Sequence, residues 1–370
     1  ARFSQQRGVS VGFEDFDSEQ NSYYISVQNG VLDLRSGELL AHDPKLMLTR
    51  KMNATYDPNA QAPQWTKFME EVLPDPHLRA YVQRAMGYTL LGEADRRAMF
   101  LLYGPSGTGK SQFIEAMNRV FGDFATTAAA STFRKKHGNS TSTNDLHGLK
   151  GRRLISSSET SETSELDEEL IKRLTGRDQI TSRDLYEKYQ TWVPEGAVWL
   201  TTNYLPKLSS DDNAVWLRMK AIEFSQVFVD TDKDRPNVGI QIAKTEAAGI
   251  LNWLLEGIQL YRQFGLEEPD KVKQSNADHR RESDNVTQFL EEAFDEGQII
   301  RENGANGLRV TALFDRYEHW CKRNHIAPLG MRRFNQRCVS IGLVKERRGG
   351  FYFWLGVRLN DAYGLMGTMT

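Results

Sequence analysis

Cysteine is scarce in this sequence. Its two cysteines, Cys321 and Cys338, are too few for a disulfide framework or a cysteine-rich metal site. We therefore expect two unpaired thiols, as is usual in a cytosolic protein. Long apolar runs are missing as well, because no stretch reaches the roughly 18 residues that a membrane-spanning helix needs. No membrane association is expected, and the predicted location is the cytoplasm.

An excess of charge of either sign is also missing. Lys and Arg number 47 and Asp and Glu number 49, which gives a net charge of −2. A uniformly basic surface is therefore excluded, and any binding to nucleic acid has to come from local clusters. Residues 159–169 are acidic, whereas 331–348 carry six basic residues, namely Arg332, Arg333, Arg337, Lys345, Arg347 and Arg348.

The first residues, ARFSQQRG, include neither an initiator methionine nor the apolar run of a signal peptide. We therefore expect a piece of a longer protein. A chain of 370 residues should form two or three compact units. Changes of pattern along the chain predict these five segments: a linker (1–22), a hairpin and helical domain (23–94), an α/β domain (95–265), a charged linker (266–284) and a small C-terminal domain (285–370).

The α/β assignment depends on three short apolar runs that are typical of buried strands: AMFLLY (98–103), RLISSS (153–158) and AVWLTTN (197–203). The first runs directly into GPSGTGKS, and helical periodicity follows at 111–121. Strands that alternate with helices predict a parallel sheet.

A complete phosphate-binding loop lies between that strand and that helix. Gly104, Gly109, Lys110 and Ser111 fit the pattern G-x-x-x-x-G-K-[ST], and the intervening residues are Pro105, Ser106, Gly107 and Thr108. The glycines let the backbone wrap phosphates, and the start of the helix adds partial positive charge. Lys110 is predicted to reach the β and γ phosphates of ATP, and Ser111 to ligate Mg²⁺.

Three later residues are candidates for the rest of an ATPase site. Glu159 ends the strand at 153–158 and can hold the Mg²⁺ shell or polarise water, with Glu162 as the alternative acid. Asn203 follows the next strand and can bind phosphate or orient water, although it also suits an ordinary turn. Arg218 has the forked cation that stabilises a phosphoryl group across a subunit boundary, or it is a solvated arginine at a strand edge.

With these segments in order, the chain resembles the superfamily 3 helicases of the phage and plasmid primase–helicase family. The similarity covers about residues 29–359. It includes NGVLDLRSGEL, YDPNAQAPQW, GPSGTGKS, LIKRLTGRDQITSRD, TTNYLP and AVWLR. The resemblance implies a P-loop, AAA+-like ATPase core with a parallel sheet, an N-terminal, mostly helical unit and a C-terminal winged-helix-like unit.

The same resemblance implies a function and partners. It implies an ATP- and Mg²⁺-dependent DNA helicase that forms a ring, usually a hexamer, and moves 3′ to 5′ on single-stranded or forked DNA. Arg218 would act on a neighbour's ATP. The segment 180–194 would be a DNA-gripping hairpin, with Lys188 near its tip and Arg183 as a further contact. A primase domain would precede this part in the full-length protein.

The C-terminal segment leaves two interpretations open. Amphipathic helices at 310–325 and 331–343, followed by a hairpin, favour a winged helix that binds DNA through Arg332, Arg333 and Arg337. The competing interpretation is a protein-docking element with a solvated basic face. For the whole chain, the alternatives to a helicase are another ring-forming P-loop motor and a DNA-binding initiator that uses ATP only to assemble.

Overall fold

The computed structural model describes residues 16–93, 95–135, 143–159, 165–184, 188–206, 208, 213–302, 304, 307–324, 326 and 328–360. The chain divides into two compact units, which we call the larger unit and the C-terminal unit. The larger unit contains residues 1–208 and 214–276, and the C-terminal unit contains 209–213 and 277–370.

The larger unit begins with a small antiparallel sheet and two helices. The elements are β1 (Tyr24–Val27), β2 (Gly30–Asp33), β3 (Leu39–Leu40), α1 (Pro63–Val72) and α2 (Pro76–Leu91). Each helix has a proline in its first turn, where the missing N–H costs nothing. The Asp75 side chain caps α2 by accepting hydrogen bonds from the N–H groups of His77 and Leu78.

A five-stranded sheet with flanking helices forms the rest of the larger unit. Its elements up to the third sheet strand are β4 (Met99–Tyr103), α3 (Lys110–Phe121), β5 (Ala125–Thr127), α4 (Ala130–Phe133), α5 (Thr143–His147) and β6 (Leu154–Glu159). The remaining elements are α6 (Glu168–Thr175), β7 (Ile180–Ser182), β8 (Gln190–Trp192), β9 (Ala197–Thr202), α7 (Asn213–Trp216), β10 (Met219–Glu223), α8 (Val238–Thr245) and α9 (Ala247–Phe264). The first residue of α7, Asn213, is also the last residue of the segment 209–213 that belongs to the C-terminal unit.

All strand pairs in the five-stranded sheet are parallel, and the spatial order is β10-β4-β9-β6-β5. Every residue of β9 is buried, as expected for a central strand that is covered on both faces. Phe100 of β4 stacks on Trp199 of β9, with ring centroids 4.2 Å apart. The predicted α/β fold with a P-loop-type parallel sheet is therefore confirmed.

The residues before the sheet share one hydrophobic core with it, although we predicted 23–94 as a domain of its own. The ring of Trp65 stacks on Phe113 of α3 at 5.8 Å, and Nε1 of Trp199 donates a hydrogen bond to Thr89 Oγ1 at 2.9 Å. Helices α2 and α9 cross at two glycines. A Cβ on Gly87 would lie 2.2 Å from the carbonyl carbon of Gly257, so only glycine allows this close approach.

The predicted linker 266–284 is mostly helical, because α10 covers Asp270–Glu282. Charged composition suggested an irregular segment, but the Asn276 side chain accepts a hydrogen bond from the Ala221 N–H of edge strand β10. Lys220 of the same strand pairs with Glu268. The boundary between the two compact units lies within this helix.

The C-terminal unit, for which we predict a winged helix, combines three helices with short strands. Its elements are α11 (Asn285–Asp295), β11 (Ile299–Arg301), β12 (Leu308–Arg309), α12 (Val310–Arg323), α13 (Met331–Ser340), β13 (Lys345–Arg348), β14 (Phe351–Trp354) and β15 (Val357–Leu359). The strands β12, β14 and β13 form one antiparallel sheet. Cys321 and Cys338 are free thiols in its core, and burial raises the pKa of Cys338 to about 12. Among the described residues, no helix has the length and apolar character needed to cross a membrane.

Candidate nucleotide site

The loop between β4 and α3 curls around the amine of Lys110. Lys110 Nζ donates hydrogen bonds to the Gly104 and Pro105 carbonyl oxygens, at 2.7 and 2.6 Å, and to Thr108 Oγ1, at 3.1 Å. The side chain is buried, and desolvation lowers the pKa of its amine. Within the described part of the chain, all the hydrogen bonds of this amine go to neutral oxygens, and a phosphate would supply the negative charge that a buried cation favours.

Three glycines make this curl possible. Gly104, Gly107 and Gly109 have φ angles of +137°, +76° and +88°, in the region that side chains disfavour. A Cβ on Gly104 would lie 2.1 Å from the carbonyl oxygen of Phe224, and one on Gly107 would lie 2.8 Å from Val229. The loop therefore needs glycine both for its backbone angles and for its close contact with the segment that follows β10.

A cavity of about 250 Å³ opens beside the loop. The predicted loop residues from Ser106 to Ser111 line it, together with Asn203. Two segments far away in sequence complete its walls. Helix α1 contributes Phe68, Glu71 and Val72, and the segment between β10 and α8 contributes Phe228, Lys233 and Arg235.

Sequence reasoning missed these two walls. The Phe228 N–H donates to the Gly107 carbonyl at 2.9 Å, which fixes the second segment against the loop. Apolar Phe68, Val72 and Phe228 surround a space that suits a nucleotide base, next to polar groups that suit phosphate. Arg235 forms an ion pair with Glu71. Lys233 and Arg235 thus add cationic side chains to the cavity beside that of Lys110.

The carboxyl ends of three parallel strands meet beside the loop. Tyr103 of β4 and Glu159 of β6 both pair with Thr202 of β9, and Asn203 follows directly. The backbone thus brings Glu159 and Asn203 to the edge where the loop begins. Glu162, the alternative acid, lies outside the described residues.

Comparisons with known proteins find similarity along most of the chain. Three family models match successive parts of the chain: "D5 N terminal like" at 2–74, "Family of unknown function (DUF5906)" at 102–218 and "Poxvirus D5 protein-like" at 281–348. The relative named "Putative helicase" in Acanthamoeba polyphaga mimivirus is 26% identical over 328 residues, which are 83% of this chain and 34% of that protein. A "Putative primase" of African swine fever virus is 20% identical over 210 residues, which are 55% of this chain and 22% of that protein.

Among solved structures, the apo C-terminal region of NrS-1 superposes with a TM-score of 0.52 at 11% identity. That match covers 82% of this chain and 78% of the solved one. The chain is thus similar to putative helicases and primases of viruses in sequence and to the NrS-1 region in fold. It spans about a third of the mimivirus relative and a smaller part of the African swine fever virus relative.

Arg218 is not among the described residues that line the cavity. It precedes β10, whose first residue pairs with Met99 at the start of β4. The loop begins after Tyr103, so the two points are about 13 Å apart at roughly 3.3 Å per residue. Arg218 is buried, and it donates from Nε to Thr175 Oγ1 at 3.0 Å and from Nη1 to the Ala214 carbonyl at 2.5 Å.

Strands β7 and β8 pair antiparallel within 180–194, the segment for which we predict a DNA-gripping hairpin. Lys188 is exposed just before β8, and residues 185–187 lie outside the described part of the chain. The Arg183 guanidinium lies over the Tyr189 ring, 4.7 Å from its centroid. A basic side chain beside an exposed ring suits contact with nucleic acid.

The three predicted DNA-binding arginines of the C-terminal unit differ in their surroundings. Arg332 and Arg333 are exposed on α13. Arg337 instead forms an ion pair with Asp284, whose side chain is only 2% exposed and caps α11. Nε of Arg337 donates to Asp284 Oδ2 at 2.7 Å. We therefore assign Arg337 a role in holding two helices together.

Proposed function

We propose that this chain is the ATP-driven motor of a DNA-replication helicase from a phage, plasmid, virus or other mobile element. The observation that carries the proposal is the cavity in which Lys110, Ser111 and Asn203 lie together at the carboxyl edge of a parallel sheet. The names of the mimivirus and African swine fever virus relatives support a role in replication.

The residues of the cavity fit ATP and Mg²⁺. The glycine-lined curl leaves room for phosphate oxygens, and it directs backbone N–H groups and the start of α3 toward them. The Lys110 amine would exchange its carbonyl partners for the β and γ phosphates, and the Ser111 hydroxyl would ligate Mg²⁺. Glu159 would polarise the attacking water, and Asn203 would orient it.

A ring assembly, usually a hexamer with 3′ to 5′ movement, is the form we propose. Arg218 supports it, because this residue is about 13 Å from the loop of its own subunit along the sheet. We propose that Arg218 leaves Thr175 and reaches the γ-phosphate of a neighbouring subunit. Lys188 and Arg183 would then hold single-stranded DNA.

A DNA-binding initiator that uses ATP only to assemble is the second candidate. The exposed Arg332 and Arg333 on helix α13 favour it, because a winged helix, which we propose for the C-terminal unit, would bind DNA through such a helix. Such an initiator would bind DNA without separating strands.

Strand separation on a forked duplex distinguishes the two candidates. A helicase releases the labelled strand only with ATP and Mg²⁺, and Lys110→Ala should abolish release while binding of the fork persists. A wild-type chain that hydrolyses ATP and binds the fork, yet releases no strand, would favour the initiator.

A further inference from the structure

The hairpin of β13 and β14 carries two exposed aromatic rings next to its turn. Phe351 and Tyr352 are 54% and 48% exposed, which is unusual for large rings outside an interface. The turn itself is Gly349-Gly350, and both residues have positive φ angles, as a tight hairpin turn requires. A short, stiff turn therefore presents both rings at the end of the hairpin.

Each ring has a basic partner. The Arg309 guanidinium lies 4.3 Å from the centroid of Phe351, and Lys345 Nζ lies 4.4 Å from the centroid of Tyr352. Successive residues of a strand point to opposite faces, so Phe351 and Tyr352 lie on different faces of the hairpin. Both faces thus combine a ring with a cation.

This combination is the chemistry that binds single-stranded nucleic acid. A base can stack on an exposed ring, and the neighbouring cation can meet the phosphate of the same nucleotide. Duplex DNA fits less well, because its bases are already stacked on one another and only their edges are accessible. The hairpin therefore selects for unpaired bases.

We propose that the β13–β14 hairpin binds unpaired bases of single-stranded DNA by stacking them on Phe351 and Tyr352. The proposal deepens the proposed function and rests on its DNA substrate. It differs from the contact predicted from sequence, in which basic residues hold duplex DNA through phosphates. Separated strands at a fork would supply the unpaired bases.

The test measures binding of the whole chain to a fluorescent thymidine 20-mer, without nucleotide, by anisotropy. The Phe351→Ala/Tyr352→Ala double variant should bind at least about tenfold more weakly, since stacking on a ring commonly contributes about fivefold or more per base and two rings are lost. The matched control, Phe351→Tyr/Tyr352→Phe, keeps both rings and should bind like the wild type. Repeating both in a Lys188→Ala background removes the contact proposed for the β7–β8 hairpin.

An abasic 20-mer separates stacking from charge, because it has the same number of phosphates and no bases. Wild type should bind it as weakly as the alanine double variant binds the thymidine strand, and the variant should lose nothing further. Equal loss of affinity on both strands, or a larger loss on duplex than on single-stranded DNA, would overturn the proposal. A thermal melt of the double variant checks that the C-terminal unit stays folded, and the Phe351→Leu variant is used if it does not.

The outcome is independent of the motor assignment. If ATP hydrolysis and strand release are normal but the alanine variant binds like wild type, only this inference fails. If the variant loses affinity for thymidine while the wild-type chain hydrolyses no ATP, only the proposed function fails.

Discussion

Replacing Arg337 with alanine would remove the partner of an almost completely buried carboxylate. Asp284 keeps hydrogen bonds from the Thr287 N–H and hydroxyl, but it loses its ion pair with Arg337. Breaking a buried pair from one side commonly costs about 3–5 kcal/mol. Arg337 is 24% exposed and Asp284 retains two donors, so we expect about 2–3 kcal/mol.

For a unit of this size, each kcal/mol lowers the melting temperature by about 4–8 °C. Hydrogen exchange measured by mass spectrometry resolves the effect, because peptides from α11 and α13 report on the C-terminal unit alone. Their protection should fall in Arg337→Ala. Protection should change little in Arg332→Ala, which alters an exposed arginine on the same helix.

A second substitution tests the cause. Asp284→Asn keeps an oxygen for capping α11 but removes the charge, so the Asp284→Asn/Arg337→Ala double variant should be more stable than Arg337→Ala. If Arg337→Ala leaves protection unchanged and weakens DNA binding instead, then Arg337 is a DNA contact and our structural assignment is refuted.

Three further changes test the larger unit. Glu159→Gln should keep ATP binding and lower hydrolysis by about 10²-fold or more, because it removes the charge that polarises water; if only Glu162→Gln does so, the acid is misassigned. Mixing inactive Arg218→Ala and Lys110→Ala proteins should restore ATPase activity, since some interfaces then pair an intact Lys110 with an intact Arg218 of the neighbouring subunit. An arginine finger commonly contributes about 10³-fold to the rate. If no activity returns after subunit exchange has been demonstrated, action of Arg218 across the interface is excluded. Gly87→Ala should destabilise the larger unit by about 1–3 kcal/mol in urea titrations, since the added Cβ meets the backbone of the crossing helix α9. An unchanged unfolding midpoint would mean that α2 and α9 can move apart without loss of stability.

The strands and helix around the phosphate loop were predictable from sequence alone. AMFLLY and the first half of AVWLTTN are apolar, as is typical of strands buried on both faces, and RLISSS has an apolar Leu-Ile pair followed by small serines. They became β4, β6 and β9 within one residue at each end. Local sequence also determines the loop, since its glycine spacing belongs to a contiguous motif.

The far walls of the cavity were not predictable in the same way. Phe68 and Arg235 are separated by more than 160 residues, and neither belongs to a local pattern that marks a site. Arg337 poses the same difficulty, because its partner Asp284 lies 53 residues earlier and a basic helix suggests DNA equally well. Contacts of this kind depend on the tertiary fold rather than on spacing.

The shared core of the larger unit constrains how genes for chains with this fold can exchange parts. A crossover near residue 95 would separate Trp65 from Phe113, leave Trp199 Nε1 without its Thr89 acceptor and remove one wall of the cavity. Recombinants joined there would combine two halves of one core that have not been selected together. A crossover before β1 would instead transfer the nucleotide site together with helices α1 and α2 as one unit.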